Sequence, residues 1–144
     1  MDKSDKQRVE WIKAEIESYY NSEEIRKAIE EKIKVLENRF EYHSPSLTDI
    51  HYSAPSLDER LAGYIVTKDQ LLEQLEGLEA NKKRVEKVLS FLTEKDRESI
   101  TAIYSKKRTI IEESIQRDMT IWELRGHIQR ELLYAVNELI GDIR

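Results

Sequence analysis

Toward the C-terminal end of the sequence, Trp122, Glu123, Arg125 and Gln129 fall close together on what the spacing predicts to be one helix. An arginine guanidinium matches the two acceptors of guanine and a glutamine amide matches adenine, so Arg125 and Gln129 have the chemistry to read base edges. Lys106, Lys107, Arg108 and Arg130 supply cations suited to phosphate, and the helix starts predicted at Thr109 and Thr120 present free backbone amides to the same anion. These residues form the candidate site: base contact for Trp122, Glu123, Arg125 and Gln129, phosphate contact for the others.

Other chemistries find little support. The chain has no Cys, which removes disulfides, thiolate metal ligands and thiol nucleophiles together. His43, His51 and His127 form no helical metal pair; Glu123 and His127 lie one turn apart, a spacing read as a surface contact. There is no Gly-rich phosphate loop, nucleophile elbow or zinc spacing, and the carboxylates read as solvated helix faces, none of them isolated in an apolar context. Neither an enzyme nor a bound metal or cofactor is expected.

The elements that position the candidate site are helices. A charged fraction of 37%, an apolar fraction of 39%, four Gly and two Pro among 144 residues suit long helices with wide solvated faces, not sheets. From 4 to 40, Val9, Ile12, Ile16 and Tyr19, then Ile25, Ile29, Ile33, Leu36 and Phe40 recur every three or four positions. The phase slips near Asn21, leaving open one helix or two joined at 20–22. Residues 41–56, with Pro45 and Pro55, read as a flexible linker. A long helix over 57–92 follows, starting at a Ser56 and Glu59 capping box and carrying a stripe of Leu61, Ile65, Leu72, Leu75, Leu78, Val85, Leu89 and Leu92. It is too long to bury that stripe alone. Either the first helical segment, as an antiparallel hairpin, or a second copy of the chain can cover it.

Beyond Leu92 come three capping pairs, Thr93 with Asp96, Thr109 with Glu112 and Thr120 with Glu123, which predict helices at 94–105, 110–117 and 121–140, the last stopped by Gly141. A short helix, a tight turn and a longer helix are what a helix-turn-helix needs. Its core is expected from Ile100, Ile103, Tyr104, Ile111, Ile115, Met119, Leu124, Ile128 and Leu132. The fold class is therefore all-α: a long N-terminal helical hairpin or coiled coil (1–40 and 57–92) followed by a three-helix unit at 93–144. Formal charge is −5, and neither side of Thr93 is basic, with 15 basic and 19 acidic residues before it and 9 and 10 after. Non-specific DNA affinity comes mainly from cations, so any DNA contact must use a local patch, a dimer or a partner. No stretch approaches the roughly 18 apolar residues of a membrane span, and a soluble, cytoplasmic protein is expected.

From Leu92 to Leu139, LTEKDRESITAIYSKKRTIIEESIQRDMTIWELRGHIQRELLYAVNEL resembles the fourth region of bacterial sigma factors, and especially the sigma-like C-termini of phage late-gene transcription activators of the ArpU and RinA type. The shared features are the Leu followed by an acidic and basic run, Ile100 and Tyr104, the two capped helices and the closing run to Leu139. Glu113 and Arg117 stand where the family usually has apolar residues, Ser114 where it has Ala, and Asp118 where it has a turn Gly or Asn. The resemblance implies a phage or prophage protein in the bacterial host cytoplasm that binds double-stranded promoter DNA at a late promoter and cooperates with host RNA polymerase; the long helices separately offer a surface for a homodimer. Two other functions remain open: a packaging or assembly protein such as a small terminase-like oligomer, and a protein-binding module built on a degenerate helix-turn-helix.

Overall fold

The computed structural model describes the backbone of residues 1–42 and 57–143. Over those residues the chain is all-α: α1 (Lys3–Tyr20), α2 (Ser22–Tyr42), α3 (Leu57–Ser90), α4 (Glu94–Tyr104), α5 (Ile110–Gln116) and α6 (Ile121–Ile143). Both prolines, His43, His51, Ser56 and nearly all of the 41–56 linker lie outside the described residues. No helix among the described residues is long and apolar enough to cross a membrane.

Local chemistry sets the helix ends. The Asp2 carboxylate caps α1 by accepting from the Asp5 amide at 2.8 Å. At Asn21 the backbone amide bonds back to the carbonyls of Glu17 and Tyr19, so the phase slip in the sequence marks the junction of two helices. Gly141 does not stop the last helix, which continues to Ile143. A lone glycine costs a helix only about 1 kcal/mol, too little to end one that is packed along its length.

The chain divides into two compact units. One, Glu23–Glu79, pairs most of α2 with the first part of α3. Arg26 meets Glu79 at 3.9 Å, Glu37 meets Lys68 at 2.9 Å, and the rings of Phe40 and Tyr64 stack at 4.5 Å. Residue numbers rise on α2 as they fall on α3, so the two segments are antiparallel. Ile29 and Leu71 are the buried apolar residues of this pair. Leu61, Ile65 and Leu72, expected in the covered stripe, are 41%, 48% and 41% exposed. A pair of helices has one narrow seam, and Tyr64, Lys68 and Leu71 occupy it, leaving the adjoining part of the apolar arc uncovered.

Gly63 and Gly77 both lie inside α3, and a Cβ built on either meets nothing within 4 Å. Neither position needs glycine for close packing. Gly63→Ala and Gly77→Ala should each stabilise the Glu23–Glu79 unit by about 1 kcal/mol, read as a rise in urea midpoint with unchanged slope.

The other unit joins Met1–Ser22 to Ala80–Arg144. Its core gathers Ile12 and Ile16 from α1, Val85 and Val88 from α3, Leu92, Ile100 from α4, and Leu124, Ile128, Leu132, Ala135, Val136 and Leu139 from α6. Polar bonds fasten α1 along its length. Arg8 donates to the Asn137 side chain at 2.8 Å, the Glu15 carboxylate accepts from Asn81 at 2.6 Å and Arg84 at 3.0 Å, and the Tyr20 hydroxyl bonds that of Thr101 at 3.0 Å.

Ile103, Tyr104 and Met119 pack against this core as expected. Ile111 and Ile115 do not: they are 53% and 74% exposed, while Glu113 and Ser114 are buried. Beyond Ile110, which packs against the core, the inward face of α5 is thus polar. It is stable there because Glu113 finds partners on α4 and in the α4–α5 turn and the Ser114 hydroxyl donates to the Ile111 carbonyl of its own helix.

Candidate nucleic-acid interface

Two tight turns aim α5 and α6. After α5, Asp118 takes a left-handed conformation (φ 54°), its amide bonds to the carbonyl of Ile115, and the Met119 amide reaches back to that of Ser114. This pair of bonds is the Schellman closure, usually built on glycine. After α4, Lys107 is also left-handed (φ 56°), and the Arg108 amide returns to the carbonyl of Ala102. Lys107 carries the steric cost of a side chain in that region without the local hydrogen bonding open to Asp or Asn. Lys107→Gly should therefore stabilise the fold by about 0.5–1 kcal/mol, visible in thermal unfolding.

Each helix of this region begins at a threonine whose hydroxyl accepts an amide three residues on: Thr93 from Asp96 at 3.3 Å, Thr109 from Glu112 at 3.1 Å and Thr120 from Glu123 at 3.1 Å. The threonine half of each capping pair read from the sequence is thus formed, while the Asp96 carboxylate turns to Arg117 and His127.

Between α4, α5 and α6 lies a connected set of charges that the sequence did not reveal. Asp96, 2% exposed, accepts from the Arg117 guanidinium at 2.9 Å and from His127 Nε2 at 2.8 Å. Arg117 also donates to the Ser99 hydroxyl at 3.2 Å, Ser99 donates to Glu113 at 2.8 Å, and Arg108 donates to the other Glu113 oxygen at 3.0 Å. Burial works against charge on Asp96, but the hydrogen bonds from Arg117 and His127, the charge of the imidazole and the Thr93 hydroxyl outweigh it and hold the carboxyl below its ordinary value. Two expectations are corrected here: His127 is not a surface residue paired with Glu123 but a partner of Asp96, and acids do sit in buried surroundings. The signal available was indirect. Glu113 and Arg117 are charged residues that face inward and pair, Glu113 with Ser99 and Arg108, and Arg117 with Asp96 and Ser99.

The residues named as candidate contacts are dispersed around the start of α6. Trp122 is 79% exposed, with the Arg125 guanidinium 5.7 Å from its ring centroid. Glu123, Arg125 and Arg130 are exposed, as are Thr109, Thr120, Lys106 and Lys107. Gln129 is half-buried and lines a cavity with Lys13 and Arg125. Arg108 is engaged by Glu113. Lys106, Lys107, Arg125 and Arg130 make no ion pair among the described residues. The described residues form an all-α protein whose last helix begins with an exposed aromatic ring beside an arginine that makes no ion pair among them. Comparison of the chain with family models, curated proteins and solved structures finds no match.

Proposed function

We propose that the chain is a non-enzymatic, sequence-specific DNA-binding transcription regulator in which α4, α5 and α6 act as a helix-turn-helix, with α6 as the helix that enters the major groove. The observation that carries this is the exposed start of α6. Trp122 is 79% exposed with Arg125 beside its ring, directly after a tight turn and on a capped helix, and Lys106, Lys107 and Arg130 make no ion pair among the described residues. Arg125 is assigned to a guanine, Gln129 to an adenine, and Trp122 and Glu123 to the adjoining bases. Lys106, Lys107, Arg130 and the amides at Thr109 and Thr120 are assigned to phosphates. The sigma-like resemblance places such a protein in a bacterial host cytoplasm, at a phage or prophage late promoter with host RNA polymerase. Dimerisation through the α2 and α3 pair would double the weak positive patch.

One observation favours a second function, a protein-binding module: Ile111, Ile115 and Trp122 expose apolar surface on α5 and at the start of α6. Binding of the purified protein to phage or prophage promoter fragments at low and moderate salt, against an unrelated fragment of equal length, separates the two. A regulator retains one promoter selectively and weakens with salt. Arg125→Ala should cost about 1–3 kcal/mol in binding and erase most of the preference, whereas a protein-binding module retains neither fragment.

A further inference from the structure

Within the Met1–Ser22 and Ala80–Arg144 unit lies a cavity of about 320 Å³ bounded by α1, α4, α6 and Ile110 at the start of α5. Its walls are largely apolar, formed by Ile100, Ile103, Ile110 and Ile128 with the phenol of Tyr104. Its rim is polar and cationic, formed by Lys13 of α1 with Arg125 and Gln129 of α6. A volume near the lower end of the ligand-pocket range, mostly apolar walls and a few convergent polar groups are the features of a small-molecule site.

The charges select the ligand. Arg125 has only the Trp122 ring as its cation partner among the described residues, and Lys13 has only a long contact of 3.8 Å to exposed Glu10. A surface pair of that geometry contributes little and is readily exchanged. Two cations at the mouth of an isoleucine-lined cavity complement one anion attached to a short hydrocarbon. A guanidinium and an amide together can hold a carboxylate through several donors.

We infer that this cavity binds a medium-chain monocarboxylate, its tail among Ile100, Ile103, Ile110 and Ile128 and its carboxylate between Lys13, Arg125 and Gln129. The inference does not rest on DNA binding. If Arg125 does contact DNA, the same ligand would withdraw it from that contact.

The test uses the full chain carrying Trp11→Phe, so that tryptophan emission reports on Trp122 alone. Octanoate is titrated, with octylamine as the same tail of opposite charge and acetate as the same head without a tail. A carboxylate drawing Arg125 off the ring should change Trp122 emission saturably, with Kd on the order of 0.1–1 mM for a ligand of this size. Octylamine and acetate should give no saturation in that range. Lys13→Gln and Arg125→Gln should each raise Kd for octanoate, measured calorimetrically, by about tenfold. Ile110→Trp, which fills the cavity from a half-buried position, should abolish binding with the circular dichroism unchanged. No saturation with octanoate overturns the inference. So does equal binding of octylamine, or octanoate binding indifferent to Lys13→Gln and Arg125→Gln. That last result would move the ligand to the separate groove beside Lys32, Val35, Leu36 and Arg39.

Discussion

Arg117→Met should destabilise the C-terminal helices by about 3 kcal/mol at pH 7, close to the cost of stranding one member of a buried ion pair. The side chains of Arg117 and Asp96 are 14% and 3% exposed, so solvent screens the pair little. Without the guanidinium, Asp96 keeps His127 but loses its permanent cation, and the Ser99 hydroxyl loses a donor as well. Replacing Asp96 and Arg117 together by apolar residues should cost much less than either single change, because desolvation then falls on no unpaired charge. Urea unfolding of the two single variants and the double variant, followed by circular dichroism, measures this. Additive losses would mean that the two residues do not act as a pair.

The same pair predicts a pH dependence with a definite sign. The Asp96 carboxyl titrates lower in the folded chain than its ordinary value of 3.8. Its contribution is therefore present in full above about pH 4–5 and is lost as pH falls through the depressed folded value. Asp96→Asn should flatten the fall in stability below about pH 4. A wild-type profile just as flat below pH 4 would contradict the structure at this point.

Ile12→Ala should cost about 3–4 kcal/mol, within the range for emptying a fully buried isoleucine site, and the loss should be felt in α6. Ile12 and Ile16 are 0% exposed and belong to the same cluster as Leu124, Leu132 and Val136. Hydrogen exchange on the variant should show α6 amides deprotected together with those of α1. Loss confined to α1 would mean that the N-terminal helix is an appendage. Residues 93–144 alone, deprived of Ile12, Ile16, Val85 and Val88, should not unfold cooperatively.

Much of this architecture is legible in the sequence, and the legible parts share a physical basis. Thr93, Thr109 and Thr120 mark helix starts because a threonine hydroxyl reaches only the amides of its own first turn, an interaction three residues long. The exposed start of α6 follows from the same periodicity, since Leu124, Ile128 and Leu132 fix which side turns inward. The sequence alone therefore determined an all-α chain, its C-terminal helix starts and the exposed position of Trp122.

The tertiary structure decided what depends on partners far along the chain. Periodicity assigned Ile111 and Ile115 of α5 to the core, but that helix is short enough for either face to turn inward. Arg117 binding Asp96, across a separation of 21 residues, and Ser99 and Arg108 binding Glu113 settle the choice for the polar face. Membership of α1 in the C-terminal unit is likewise set by the burial of Ile12 and Ile16 against Val85, Val88, Leu124 and Leu132, with Asn81 meeting Glu15 and Arg8 meeting Asn137 across separations of 66 and 129 residues. An amphipathic stripe states that a helix must be covered. Which of several similar stripes covers it is decided by shape, and by whether each polar group carried inside finds a partner there.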